Sequence, residues 1–126
     1  MIPKTLAEVA ELAAQGEPFD LCLRNFLDDF YVHPSSAALQ AEPPALDSRD
    51  SKNGAVKDAY LAATAEWLAW QFNFPAPEWA FAASRSLHRP WFASTLSALR
   101  AVLLWESPAP FRSRNLFVSE NALSRA

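Results

Sequence analysis

The sequence predicts an all-α fold: a single compact helical domain over residues 1–126, with four main helices and several short ones. Three observations carry this. Alanine occurs 24 times and leucine 16 times, against five valines, one isoleucine and three threonines. Alanine loses no side-chain entropy in a helix and leucine loses little, whereas a pleated sheet face favours β-branched residues. There are only two glycines and ten prolines, so turns needing positive φ are scarce and proline marks the boundaries. Apolar residues also recur at three- and four-residue spacing through four stretches.

The first helix is announced by Thr5 and Glu8, a capping box in which each side chain reaches the other's backbone N–H. Leu6, Val9, Ala10 and Ala13 follow at helical spacing, and Gly16 supplies a left-handed stop. Pro18 opens the second helix, where Phe19, Cys22, Leu23, Phe26, Leu27 and Phe30 form one face. His33 before Pro34 ends it, and Ser35 or Ser36 caps a short helix through Leu39 and Gln40. Residues 42–54 read as the main loop.

A third main helix is expected over residues 55–73, with Tyr60, Leu61, Thr64, Trp67, Leu68 and Gln71 as its stripe and Pro75 and Pro77 as its stop. Residues 78–84 suit a short helix anchored by Trp79 and Phe81. A fourth main helix is expected from Phe92 to Glu106, with Phe92, Leu96, Leu99, Val102 and Leu103 on one face and Leu104 and Trp105 widening it. The third and fourth are expected to form the central pair. Residues 111–115 suit one turn, Leu116, Phe117 and Val118 a short extended piece, and residues 120–126 a last helix capped by Ser119.

Several functions are disfavoured by composition. No apolar run approaches the ~18 residues of a membrane span. Glu8 and Glu11 interrupt the apolar repeat of residues 1–15, unlike a signal peptide, so a cytoplasmic protein is expected. The single cysteine excludes an internal disulfide. The net charge of −3 argues against a general nucleic-acid binder. Two glycines cannot build a glycine-rich phosphate loop.

Candidate chemistry is thin. Cys22 falls between Phe19 and Phe26 on an apolar face, where a thiol is inert core. His33 and His88 lack a ligand-spaced partner on their helices, so neither metal nor cofactor is expected. Asp28 and Asp29, the adjacent acids, fall opposite the Phe/Leu stripe, as a solvated face does. The five tryptophans are the unusual feature. Trp67 and Trp105 are expected in the core; Trp70, Trp79 and Trp91 are candidates for a partly exposed groove. Residues 1–60 carry a net −5, and residues 61–126 a net +2 whose cations are all arginine. Arginine suits bidentate contacts, with an acidic partner, with a nucleic-acid backbone or, internally, with Asp20, Asp28, Asp29 and other acids of the first half.

Some of these segments resemble a family of small uncharacterised bacterial proteins. The likeness is carried by Glu106-Ser107-Pro108, by Phe111-Arg112-Ser113-Arg114-Asn115-Leu116-Phe117-Val118 and by Ala122-Leu123-Ser124-Arg125-Ala126. Upstream it includes Arg89-Pro90-Trp91-Phe92, Gly16-Glu17-Pro18, Leu23-Arg24-Asn25-Phe26-Leu27-Asp28 and Asp58-Ala59-Tyr60-Leu61. The resemblance implies association with nucleotidyltransferase-like abortive-infection toxins, and hence an antitoxin-type partner.

The expected function is therefore non-catalytic binding of another protein, a toxin being one candidate. The contact residues expected are Trp79, Arg89, Trp91, Arg112, Arg114, Asn115 and Phe117. Exposed tryptophans would also favour a homodimer. A nucleic-acid-associated regulator and a small hydrolase or metal enzyme stay open as alternatives.

Overall fold

The computed structural model describes residues 2–47, 53–94 and 97–125, with only the backbone of Ser97 and Ala98. Of these residues 57% are helical and 3% are in strands, which makes the fold all-α. Residues 48–52 of the expected loop, Leu96 of the expected helix face and Ala126 of the expected last helix lie outside the described residues.

Helix α1 (Leu6–Ala14) begins as its sequence dictates, with the Glu8 N–H donating to Thr5 Oγ1 at 3.0 Å. The return half of the capping box is shifted by one residue: the Glu8 carboxylate accepts from the Lys4 N–H at 2.6 Å, not from Thr5. Gly16 sits at φ +103°, and the Glu17 N–H closes back on the Leu12 carbonyl at 3.1 Å. Helix α2 (Phe19–Val32) then buries the six expected apolar residues. Pro18 precedes this helix and offers its carbonyl to the Cys22 N–H at 3.0 Å. Helix α3 (Ala37–Gln40) follows, but Ser36 has helical dihedrals and does not cap it.

The first part of the expected loop is fastened down. Leu46 is buried, and the Leu46 and Asp47 N–H groups donate to the Asp58 carboxylate at 2.8 and 3.2 Å. Gly54 opens helix α4 (Gly54–Phe72) beneath this segment. A Cβ there would lie 2.6 Å from the Asp47 Cα and would overlap the Leu46 carbonyl. Only glycine fits so close an approach.

Helix α4 is the centre of the fold. Ala59, Leu61, Ala62, Ala63, Thr64, Ala65, Leu68 and Ala69 are all buried. So many alanines let neighbours close on nearly every side of it. Gln71, expected on the buried stripe, is exposed. The helix ends at left-handed Asn73 (φ 60°), with the Phe74 N–H on the Ala69 carbonyl at 2.9 Å. The stop is thus an asparagine cap two residues ahead of the expected prolines. The Phe26–Phe30, Phe30–Phe72 and Tyr60–Phe111 ring pairs, 5.0 to 5.7 Å apart, join α2, α4 and the C-terminal half into one core.

The main correction concerns residues 91–106. In place of a helix from Phe92, strand β1 (Trp91–Phe92) pairs in parallel with strand β2 (Leu116–Phe117). Helix α5 (Ser97–Glu106) and helix α6 (Ala109–Arg112) form the crossover that a parallel pair requires. The Trp91 N–H donates to the Asn115 carbonyl at 2.8 Å, and the Ala93 N–H to the Phe117 carbonyl at 3.0 Å. Long-range pairing thus overrides the helical spacing of Phe92 with Leu99 and Val102. Ser107 closes the other edge of β2: its hydroxyl donates to the Leu116 carbonyl at 2.9 Å and accepts from the Val118 N–H at 3.2 Å. The expected central pair is therefore not formed; α4 alone is central, and α5 lies outside against β2.

Smaller departures follow the same logic. In place of a short helix over residues 78–84 there are two 3-10 turns, Glu78–Phe81 and Ala83–Arg85, with Trp79 buried and Phe81 exposed. After Ser119 the chain makes turns through Leu123, not a helix. Leu123 is buried, and its carbonyl accepts from the Tyr31 hydroxyl at 2.8 Å.

Candidate partner-binding surface

The seven expected contact residues separate by burial. Arg114 is 4% exposed. Its guanidinium donates to Glu66 at 2.7 Å, to the Pro110 carbonyl at 2.7 Å and to the Ala80 carbonyl at 2.8 Å, and lies over the Phe81 ring. Trp79 is buried with its indole N–H on the Leu39 carbonyl at 3.0 Å. Phe117 is buried and stacked on Phe92 at 5.0 Å. Asn115, half-buried, is left-handed at φ 64° and donates to the Leu87 carbonyl at 2.7 Å. These four side chains hold the fold together. Arg89 and Arg112 are exposed and Trp91 is half-buried, and none of these three side chains forms a hydrogen bond among the described residues.

Two of the late arginines pair with acids of the first half, Arg125 with Asp28 as the sequence suggests and Arg85 with Asp58 and Glu42, whereas Arg114 takes Glu66 of the second half. Buried Arg85 lies 3.6 Å from Asp58 and 5.0 Å over the Trp79 ring, and donates to the Pro43 carbonyl at 2.6 Å. Burial pushes the Asp58 carboxyl up and the Arg85 guanidinium down, and each charge opposes the other's shift. Arg125 grips Asp28 at 2.7 Å, and this hydrogen bond holds Asp28 below its ordinary value. Asp29 takes Lys4 at 2.9 Å. Cys22 is buried and its thiol is pushed up by burial. His33 and His88 are exposed. Among the described residues no group of three or more His, Cys, Asp or Glu is gathered as a metal would need.

Two surface features remain. The first is α5, which sequence reasoning assigned to the core. Only Leu103 of its described side chains is buried; Leu99, Val102 and Leu104 are close to half exposed, and Trp105 is 87% exposed. Ala101, Val102, Leu104 and Trp105 share the outward half of the helix at i, i+3 and i+4 spacing, and none carries a charge. Arg100 lies over the Phe92 ring at 5.2 Å, and Glu106 accepts from the Glu120 N–H at 3.4 Å. The signal was present in the sequence: apolar residues at 99, 102, 103, 104 and 105 run round the whole helix. That pattern fits either full burial or a face awaiting a partner. Trp70, a candidate for a partly exposed groove, is 64% exposed.

The second feature is a groove of about 710 Å³, walled by α2, the start of α4, β1 and the turns after β2. Phe19, Leu23, Leu27, Val56 and Val118 supply its apolar lining, with Tyr60 and Trp91 beside them. Burial, reinforced by the nearby Asp20 carboxylate, pushes the Tyr60 phenol up to about 12. A smaller hollow of about 410 Å³ adjoins it across Val56 and Trp91, and is bordered by Asp47, His88 and Arg89.

Compared with known proteins, the chain matches no family model, no curated protein and no solved structure. Among the described residues no helix is long and apolar enough to cross a membrane.

Proposed function

We propose that the chain is a cytoplasmic, non-catalytic module that binds another protein, with α5 delivering the apolar anchor. The observation that supports this reading is the uncharged outward face of α5, headed by Trp105 at 87% exposure. Scattered exposed apolar residues are ordinary on a protein surface. An apolar helix face with a protruding tryptophan is the kind of surface that partners cover, and tryptophan is enriched among residues that dominate binding energy. The occupant such a face fits is an apolar, uncharged groove on a different protein, in the helix-in-groove mode. The resemblance of the chain's motifs makes a nucleotidyltransferase-like toxin the first partner to test. Arg89, Arg112 and Trp91, which reach the surface, are the expected contacts compatible with this role.

The test is capture of partners from native cells, with and without nuclease, by the wild type and by Val102→Ser with Trp105→Ser. A stoichiometric, nuclease-resistant partner lost from the double variant supports the reading. A partner held equally by both overturns the α5 site, and nuclease-sensitive capture moves the nucleic-acid alternative ahead.

A further inference from the structure

The groove walled by α2, the start of α4, β1 and the turns after β2 carries an argument that does not depend on the α5 reading. Its volume of about 710 Å³ falls in the range of about 300–1,000 Å³ typical of clefts that receive small molecules. Its apolar surface comes from separate elements: Phe19 and Leu23 of α2, Val56 and Tyr60 of α4, and Trp91 of β1. Phe19 and Leu23, like Val56 and Tyr60, stand one helical turn apart and so share a face. Three aromatic rings around one hollow suit a flat or branched apolar body.

The charges along the groove are answered within the chain. Arg125 holds Asp28 at 2.7 Å. Lys57 is engaged within the chain, its ammonium 5.9 Å over the Phe19 ring. Asp20 and Arg24 stand four positions apart on α2, opposite charges on neighbouring positions of one face. A charged occupant would therefore give up hydration without meeting an uncompensated counter-charge. The polar contact left over is the Tyr60 hydroxyl. Its ring is set edge-to-face against Phe19 at 6.2 Å and Phe111 at 5.0 Å, which fixes where the hydroxyl can reach. Among the described residues that hydroxyl has no hydrogen-bond partner, and it is open to solvent, because no enclosed side-chain polar atom lacks one. Burial and the nearby Asp20 carboxylate push the phenol up to about 12, so it stays a donor at neutral pH.

We infer that this groove binds an uncharged small molecule with a flat or branched apolar body and an oxygen acceptor, the body against Phe19, Leu23, Val56 and Trp91 and the oxygen on the Tyr60 hydroxyl. Binding is insensitive to salt, since no ion pair between ligand and protein contributes to it.

The probe is Nile red, an uncharged planar dye with a carbonyl oxygen, whose emission brightens and shifts to the blue in apolar surroundings. It is titrated by fluorescence against the wild type and variants at low and high salt. The expected outcome is saturable one-to-one binding, equal at both salt concentrations. Tyr60→Phe keeps the ring and weakens binding about three- to tenfold, the loss of one hydrogen bond. Val56→Glu, at a half-buried position of the groove, weakens it about tenfold or more. Naphthol then displaces the dye more strongly than naphthoate or naphthylmethylammonium, which share its rings and carry a charge. Because Tyr60→Phe preserves the packing of the ring, it tests the site even if Val56→Glu disturbs folding. Displacement led by either ion, no saturable binding, or binding unaffected by Tyr60→Phe or by a folded Val56→Glu overturns the inference. Val102→Ser with Trp105→Ser should leave dye affinity unchanged, which keeps this site separate from α5. Loss of affinity in that variant instead places the dye on α5 and overturns the groove.

Discussion

At the scale of single residues, Arg112 and Arg114 look equivalent in the sequence and are opposite in the structure. One is exposed; the other is 4% exposed and bonded to Glu66 and two carbonyls. Removing one partner of a buried pair leaves the other charge uncompensated, so Arg114→Ala should destabilise the fold by about 3–5 kcal/mol. Arg112→Ala should stay within about 0.5 kcal/mol, as surface changes do. Urea denaturation of the two variants checks both. The local sequence does not separate them, because two of Arg114's partners, Ala80 and Glu66, lie more than thirty positions away. Tyr60 gives a second residue-scale outcome. Its phenol is raised from 10.0 to about 12, so the folded chain holds that proton more tightly than the unfolded one. The stability this contributes is whole below pH 10 and is lost as pH rises through about 12. Tyr60→Phe should flatten that decline in urea midpoints measured across the interval. The part due to Tyr31, whose phenol is also raised by burial, should remain.

At the scale of elements, legibility followed locality. The face of α2, the cap of α1 at Thr5 and the glycine stop at Gly16 are set by residues within a few positions of one another, and each appears as the spacing predicts. The pairing of Trp91 and Phe92 with Leu116 and Phe117 joins segments about 25 residues apart, and no local spacing encodes it. Once β1 takes that pairing, α5 is displaced from the core, and its all-round apolar pattern becomes a surface. Gly54 is similar: its need for glycine comes from the Leu46–Asp47 backbone crossing it. Gly54→Ala should therefore destabilise by about 1–3 kcal/mol, despite a gain in helix propensity of up to about 1 kcal/mol. Thermal melting with circular dichroism reads the sign directly. On α5, Leu103→Ala should cost about 2–5 kcal/mol. Trp105→Ser should leave stability within about 0.5 kcal/mol, and the same denaturation series compares the two.

At the scale of the whole molecule, the fold buries Arg85 and Arg114 and leaves two features outward: the apolar half of α5 and the groove beside Trp91. The all-α class was readable from alanine and leucine alone. Which of the candidate contact residues reach the surface was only partly so, because Trp79, Arg114 and Phe117 are the bulky, polar-tipped or aromatic residues that both cores and interfaces use. The measurement that tests the central claim most directly is quantitative capture from native cells by the wild type and by Val102→Ser with Trp105→Ser, after confirming equal melting temperatures. The account predicts a stoichiometric, nuclease-resistant protein partner retained by the wild type and lost by the variant. Absence of any such partner, or equal retention by both proteins, would contradict it.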